Sequence, residues 1–184
     1  MQLFLSHLQS PLGAMLLATD ARQAIRALDF ADHPAHFRRC LREHCGSVEL
    51  TDAPAPATIA QALARYFAGE LNALDMLPTA TAGSTLQRRV WAALREIPAG
   101  TTTTYGKLAK QLGFDDPRAA IDIGAANGAN PIAIVVPCHR VIASNGELKG
   151  YAWGLQRKRW LLEHEKAIAP KADGGSPTAT LPGF

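Results

Sequence analysis

Apolar residues fall in short blocks along the first third of the chain, and turn-forming residues separate these blocks. The blocks at residues 3–5, 15–18 and 25–30 predict three β-strands. Two amphipathic segments follow, near residues 34–44 and 56–67, and both predict helices. The pattern therefore favours an α/β N-terminal domain, in which an antiparallel sheet is accompanied by helices.

The second half of the chain has mostly helical patterns. Its first four residues, Ser84-Thr85-Leu86-Gln87, form a capping-box pattern, and the helix that follows is expected to run to about Ile97. Further helices are predicted at residues 104–113, from Pro117 to about Ala126, and at residues 155–166. The two short helices near the middle, joined by a tight turn, predict a helix-turn-helix.

A linker at residues 77–83, with one proline, two threonines and a glycine, divides the chain. We expect an N-terminal domain with its linker over residues 1–83, and a mostly α C-terminal domain over residues 84–168. Residues 169–184 contain the run Gly174-Gly175-Ser176-Pro177 and are expected to form a disordered tail.

The composition is that of a globular protein. Of the 184 residues, 47% are hydrophobic and 19% are charged. No apolar run approaches the roughly 20 residues of a membrane-spanning helix, and the N-terminus lacks the basic region of a signal peptide. Three cysteines are too few for a disulfide framework, so we expect a reducing, cytoplasmic location. We also expect a monomer with no obligate protein partner.

The net charge of +3 conceals an asymmetry between the two halves. Residues 1–83 carry 6 Lys/Arg and 8 Asp/Glu, whereas residues 84–168 carry 12 and 7. The basic half suggests an anionic partner. Charge alone leaves open that this half has an ordinary solvated surface.

The segment Pro137-Cys138-His139-Arg140-Val141 carries the clearest chemistry in the chain. It follows an apolar run at residues 132–136, which predicts a buried strand. A thiol ionises poorly at neutral pH, so a nucleophilic cysteine needs a base or a cation beside it, and His139 is adjacent to Cys138. The segment alone leaves open that Cys138 is a small buried hydrophobe.

These residues together resemble the O6-alkylguanine-DNA alkyltransferase family, in its bacterial branch. The most specific portion runs from Asn130 through Val141 and continues with Gly150-Tyr151 and the sequence Trp160-Leu161-Leu162-Glu163-His164-Glu165. The resemblance implies a C-terminal helix-turn-helix that binds the minor groove of double-stranded DNA. It also implies irreversible, single-turnover transfer of an alkyl group from guanine O6 to Cys138 after base flipping. O4-alkylthymine is a further substrate that the sequence leaves open.

The resemblance assigns roles to five catalytic positions. Cys138 matches the nucleophile, His139 the base that the family couples to it through water, and Glu165 the carboxylate that orients the histidine. Asn130 matches the asparagine that fixes the turn before the active-site segment. Tyr105 matches the tyrosine whose hydroxyl donates to guanine N3. No cofactor is expected.

Further positions match residues that contact the substrate. The carbonyls of Cys138 and Val141 are expected to accept from the guanine amine, and the backbone N–H of Ala152 is expected to face O6, beside Tyr151. The family's phosphate contacts match Gln87, Gly106 and Ser144.

The chain departs from the family pattern at the residue that fills the space left by the flipped base. Family members use an arginine there, whereas this sequence has Ile121, followed by Asp122. An isoleucine can wedge between bases but cannot hydrogen-bond the orphaned cytosine. Arg118, one turn earlier, is a candidate replacement.

Three other interpretations remain open from the residues. The first is an alkylation-damage binding or signalling protein with weak or altered transfer because of Ile121, and the second is a cysteine hydrolase. The third is a metal site, because His36, Cys40 and His44 share one helical face. One helix spreads these three side chains over about 12 Å, too far for one ion. We therefore expect an ordinary amphipathic helix and no metal.

Overall fold

The computed structural model describes residues 1–171. Residues 172–184, most of the segment predicted to be a disordered tail, lie outside the described residues. None of the described helices is both long enough and apolar enough to span a bilayer.

The N-terminal half is built on a four-stranded sheet in the order β3-β2-β1-β4. The first three strands are the predicted antiparallel ones: β1 (Gln2–Leu8), β2 (Met15–Thr19) and β3 (Ile25–Phe30). The fourth strand, β4 (Glu49–Asp52), pairs in parallel with β1 and was not predicted. All four of its residues are exposed, so it carries no alternation of apolar and polar positions that would mark it as a strand.

Two helices cover the two faces of this sheet. On one face, α1 (Pro34–Cys45) packs Phe37 and Leu41 against small apolar residues of the strands. On the other face, α2 (Ala57–Phe67) shares a large core with the helices of the C-terminal half. Because that core is continuous, the two halves of the chain are packed directly against each other.

The C-terminal half is mostly helical, as predicted, with α3 (Thr85–Arg95), α4 (Tyr105–Gln111), α5 (Ala119–Gly128) and α6 (Leu155–His164). Two short strands, β5 (Thr103–Thr104) and β6 (Val141–Ile142), pair in parallel. Helix α3 begins with the predicted capping box: the Ser84 hydroxyl accepts from the Gln87 backbone, and the Gln87 side chain accepts from the Ser84 backbone.

Helices α4 and α5 form the predicted helix-turn-helix, joined by residues 112–118. Helix α5 begins two residues after Pro117, at Ala119. The cause is local, because the Asp116 carboxylate accepts a hydrogen bond from the backbone N–H of Arg118 at 2.9 Å and stabilises a turn there.

The prediction of a buried strand at residues 132–136 is wrong. The segment is buried, but it forms consecutive turns, and Ile134 has φ +67°. The side-chain oxygen of Asn130 accepts from the backbone N–H of Ile132 at 2.9 Å, and its amide donates to the carbonyl of Val136 at 2.8 Å. A run of five apolar residues reveals burial, but it does not distinguish a strand from a turn whose backbone is bonded by a side chain.

This turn attaches the active-site segment to the outer edge of β3. The backbone N–H of Leu28 donates to Pro131 at 3.0 Å, and that of Ala133 donates to Leu28 at 2.8 Å. Nearby, the N–H of Ile25 donates to the carbonyl of Pro78 in the linker at 2.8 Å. The position of the segment before Cys138 is therefore set by the N-terminal half.

Candidate active site

Cys138 lies in the interior and begins a single turn of 3₁₀-helix, Cys138–Arg140. Only 3% of the cysteine surface is exposed. The Asn130 amide donates to its Sγ at 3.2 Å, and the same amide group holds the preceding turn. Asn130 therefore stabilises the turn and fixes the position of the sulfur with the same amide group.

The thiol of Cys138 is held in its protonated form. Burial raises the pKa of Cys138 to about 11, although the Asn130 hydrogen bond and the positive charge of Lys158 act to lower it. A reaction at this sulfur at neutral pH therefore requires a base that takes the thiol proton.

His139 is a buried base with one nitrogen free. Its Nε2 lies 2.9 Å from Oε1 of Glu165, and its Nδ1 has no hydrogen-bond partner among the described residues. Burial lowers the pKa of His139 against the opposing effect of Glu165, so the ring is neutral at neutral pH. Since a carboxylate only accepts, Nε2 carries the proton and Nδ1 presents a lone pair.

Glu165, directly after α6, receives four hydrogen bonds. Its Oε1 accepts from His139, from Nη2 of Arg140 at 2.9 Å and from the Tyr66 hydroxyl at 2.7 Å. Its Oε2 accepts from Nε of Arg140 at 3.0 Å. Burial acts to raise the pKa of Glu165, but the hydrogen bond from His139 and the hydrogen bonds and charge of Arg140 outweigh burial and hold the pKa well below its usual range. Glu165 therefore remains a carboxylate and orients the imidazole.

A buried ammonium completes the site. Nζ of Lys158, in α6, donates to the carbonyl of Val141 at 2.6 Å and to that of Lys149 at 2.8 Å. Burial lowers the pKa of Lys158 to about 8, and the neighbouring Cys138 acts to raise it. The lysine places a positive charge near the sulfur and fixes the backbone at Val141 and Lys149.

Comparison with known proteins places this arrangement in a family. Two family models match consecutive parts of the chain: the ribonuclease-like domain of 6-O-methylguanine DNA methyltransferase over residues 3–81, and the DNA binding domain of the same protein over residues 85–167. The chain belongs to the 6-O-methylguanine DNA methyltransferase family.

Individual relatives of this family are similar over most of their length. A methylated-DNA–protein-cysteine methyltransferase of Salmonella typhimurium is 49% identical over 158 residues, which cover 85% of this chain and 91% of the relative. The crystal structure of a Mycobacterium tuberculosis O6-methylguanine methyltransferase has a TM-score of 0.73 and 37% identity. The match covers 92% of this chain and 96% of that one. A further M. tuberculosis structure, of OGT in complex with DNA, matches with the same TM-score and identity.

The methyltransferase residues predicted around the substrate base lie around one loop, residues 149–153. The Tyr105 hydroxyl donates to the carbonyl of Lys149 at 3.3 Å. Tyr151 is half-buried and packs edge-on against His139, with ring centroids 6.4 Å apart, while Ala152 is half-buried beside it. The Val141 carbonyl already accepts from Lys158 and keeps one further lone pair for a ligand.

The residues predicted to contact DNA lie on the C-terminal half, at the surface or close to it. Gly106 and Ser144 are exposed, and Gln87 is half-buried in the capping box. Ile121 is 73% exposed on α5. Arg118 is also exposed, but three side-chain hydrogen bonds from its guanidinium engage Asp116, the shortest at 2.9 Å. The guanidinium is therefore already paired in this structure.

The side chains weighed as metal ligands have other partners. His36 pairs with Asp29, and Nδ1 of His44 lies 2.6 Å from the carbonyl oxygen of Ala82. Among residues 1–171, no three His, Cys, Asp or Glu side chains are grouped to hold an ion. All three cysteines, Cys40, Cys45 and Cys138, are free thiols.

Sequence reasoning missed three functional side chains. Tyr66 lies in the helix predicted at residues 56–67 and Arg140 beside His139, and nothing in their spacing pointed to Glu165. Lys158 stands in the run Arg157-Lys158-Arg159, which has the composition of a solvated helix face. No local signal distinguishes a buried lysine in such a run, because its partners are the carbonyls of residues distant in sequence.

Proposed function

We propose that the protein repairs O6-alkylguanine in DNA by direct reversal, and that Cys138 receives the alkyl group. The observation that carries the proposal is the buried thiol beside the His139–Glu165 pair, in a chain that belongs to this methyltransferase family. A thiolate is a soft nucleophile and suits displacement at an sp3 carbon.

The reaction balances with the groups that surround the sulfur. The bond between Sγ and the alkyl carbon forms as the bond between that carbon and O6 breaks. The thiol proton passes to Nδ1 of His139, where Glu165 stabilises the imidazolium, and it leaves with the guanine as the neutral base. Tyr105 would assist departure when its hydroxyl turns from the Lys149 carbonyl, to which it donates in this structure, and donates to N3 of the purine instead. Lys158 stabilises the thiolate that forms on the way.

The proposed substrate is a base flipped out of double-stranded DNA. Only 3% of Cys138 is exposed, so a stacked base cannot reach its sulfur. The helix-turn-helix of α4 and α5 belongs to the basic half of the chain, which supports binding to the DNA phosphates, and the family resemblance implies that it binds the minor groove. Gln87, Gly106 and Ser144 would contact phosphates.

One molecule is proposed to react once. A thioether is stable to water, and the other two thiols, Cys40 and Cys45, are carried by α1 in the N-terminal half. The test is a titration with duplex DNA carrying O6-methylguanine, followed by mass spectrometry of the protein. We expect uptake to stop at one methyl group per protein, located on Cys138. Conversion of more than one equivalent of O6-methylguanine to guanine in the duplex per protein would contradict a single-use acceptor, and a parallel duplex with O4-methylthymine tests the second base.

The second candidate is an alkylation-damage binding or signalling protein with weak or altered transfer. The observation that favours it is Ile121, which is 73% exposed on α5. In the family pattern this position holds the arginine that fills the space left in the duplex by the flipped base. Isoleucine fills volume but donates no hydrogen bond to the partner base. A tight complex with damaged duplex and no methyl group on Cys138 would support this candidate.

We predict that Ile121→Arg accelerates transfer from duplex DNA by about tenfold, the worth of one good hydrogen bond to a base. Transfer from free O6-benzylguanine, which needs no flipping, should remain unchanged. Single-turnover rates on the two substrates provide the measurement.

The same pair of substrates tests Arg118. If Arg118 takes the place of the arginine that fills the space left by the flipped base, Arg118→Ala slows the duplex reaction more than the free-base reaction. Arg22→Ala, at an exposed site in the N-terminal half, should affect neither reaction. Equal slowing of both substrates by Arg118→Ala would exclude a role in flipping.

A further inference from the structure

A second cluster of buried polar side chains lies outside the transfer site, between the two halves of the chain. Its centre is Asp29 in β3, which is 1% exposed. Oδ1 of Asp29 accepts from the indole Nε1 of Trp153 and from the backbone N–H of Phe30. Oδ2 lies 2.6 Å from Nδ1 of His36 in α1. One carboxylate therefore joins a strand, a helix and a distant loop.

His36 supplies the positive charge of this cluster. The hydrogen bond with Asp29, and after it the contact with Cys40, raises the pKa of His36 to about 9 in spite of burial. The groups that face the imidazole are Asp29 from β3, Cys40 from its own helix and the Trp153 ring, whose centroid is 5.3 Å away. At neutral pH the buried Asp29 carboxylate is therefore neutralised by an imidazolium.

Trp153 connects the cluster to the loop at residues 149–153. It is 2% exposed and packs edge-on against Tyr151, with ring centroids 5.1 Å apart. Its carbonyl accepts from Nη1 of Arg157 at 3.3 Å. The other end of the loop is fixed at the Lys149 carbonyl, which accepts from Lys158 and Tyr105. The loop is thus held at both ends.

We propose that Asp29 and His36 are positioning residues, which hold Trp153 and thereby orient Tyr151 and the backbone of Ala152 for the substrate base. The inference rests on the proposed function, because it gives these two loop residues their role at the purine. Neither Asp29 nor His36 touches the reacting atoms. Their effect is transmitted through the indole N–H, whose direction is fixed by a charge-assisted hydrogen bond.

Removal of the His36 charge is expected to loosen the loop. A buried carboxylate without its cation either takes up a proton or draws in water, and in both cases the indole loses a well-defined acceptor. His36→Gln keeps a hydrogen-bond donor and removes the charge, while Trp153→Phe keeps an aromatic ring and removes the donor. Glu70→Gln is the control, because Glu70 also forms an ion pair, with Arg65, but that pair is exposed and none of its hydrogen bonds among the described residues reaches the loop at residues 149–153.

The kinetic test uses saturation with free O6-benzylguanine in single turnover, which separates base binding from chemistry. We expect both His36→Gln and Trp153→Phe to raise the half-saturating concentration by about tenfold, as expected for a lost charge-assisted hydrogen bond, with little change in the maximal rate. Glu70→Gln should leave both parameters unchanged. Wild-type saturation behaviour in His36→Gln and Trp153→Phe would overturn the proposal.

A spectroscopic test is independent of transfer. The Trp153 indole proton and the Ala152 amide should shift with the titration of His36, with a midpoint near 9, and His36→Gln should remove that titration. Lys158 titrates nearby, at about 8, and its response should persist in His36→Gln. If the Trp153 indole and Ala152 amide resonances do not shift as His36 titrates, the positioning role is overturned. Wild-type protein that takes up no methyl group from duplex DNA carrying O6-methylguanine would instead overturn the proposed function, whatever the resonances show.

Discussion

Replacement of Cys138 by serine is expected to abolish alkyl uptake and to leave the protein folded. The serine hydroxyl is nearly isosteric with the thiol and can accept a hydrogen bond from the Asn130 amide, as the sulfur does. The turn at residues 130–138 should therefore be retained. An alcohol ionises far less readily than a thiol, and the neutral His139 is too weak a base to compensate. We expect the rate to fall by about 10⁴-fold or more, comparable to removal of the nucleophile in other enzymes.

The measurement is intact-protein mass after incubation with O6-methylguanine duplex, together with duplex binding and thermal unfolding. Cys138→Ser should still bind the damaged duplex and unfold near the wild-type temperature. Cys45→Ser is the matched control, since it removes a thiol from α1 and should react at the wild-type rate. Methylation of Cys138→Ser at another residue would mean that Cys138 is not the acceptor.

Glu165→Gln is expected to slow transfer by about 10²–10⁴-fold, the usual contribution of an oriented base. The glutamine can still accept from His139, but it carries no charge to stabilise the imidazolium. Because the wild-type thiol has a pKa of about 11, the variant should recover activity as the pH rises and the thiol ionises without a base. Single-turnover rates across pH provide the measurement, and an unchanged rate at neutral pH would show that the histidine needs no carboxylate.

Two comparisons separate this chemical effect from stability. Glu165→Gln also leaves the buried Arg140 without its counter-ion, which costs stability, so unfolding temperatures must be measured beside the rates. Tyr66→Phe removes the hydrogen bond that a neutral donor makes to Oε1 of Glu165, the oxygen that also accepts from His139, and it keeps the carboxylate charge. It should change the rate far less than Glu165→Gln does.

The sequence predicted the fold well where the signal is local. The capping box at Ser84 and the three antiparallel strands are present, and the helix-turn-helix lies where the two short helical patterns stand. It failed at residues 132–136, where burial was read correctly but the conformation was not. There a side chain, Asn130, provides the backbone hydrogen bonds that a neighbouring strand would provide in a sheet.

The site was predictable only in part, for a physical reason. Cys138 and His139 are adjacent in sequence, so their chemistry could be read directly, and Glu165 came from the family resemblance. Tyr66 is 99 positions from Glu165, and the burial of Lys158 depends on carbonyls in other segments. Contacts made only by tertiary packing leave no periodicity or spacing in the sequence.

The outer edge of β3 is covered by segments that lie later in the chain, so the N-terminal half cannot be cut off without exposing it. Its backbone groups at Ile25 and Leu28 are paired with the linker and with the turn before Cys138. A fragment truncated before residue 77 would leave that edge as an open template for intermolecular strand pairing. We therefore expect the isolated N-terminal fragment to aggregate. We also expect chimaeras between relatives to remain monomeric only when β3, the linker and the turn before Cys138 come from the same parent.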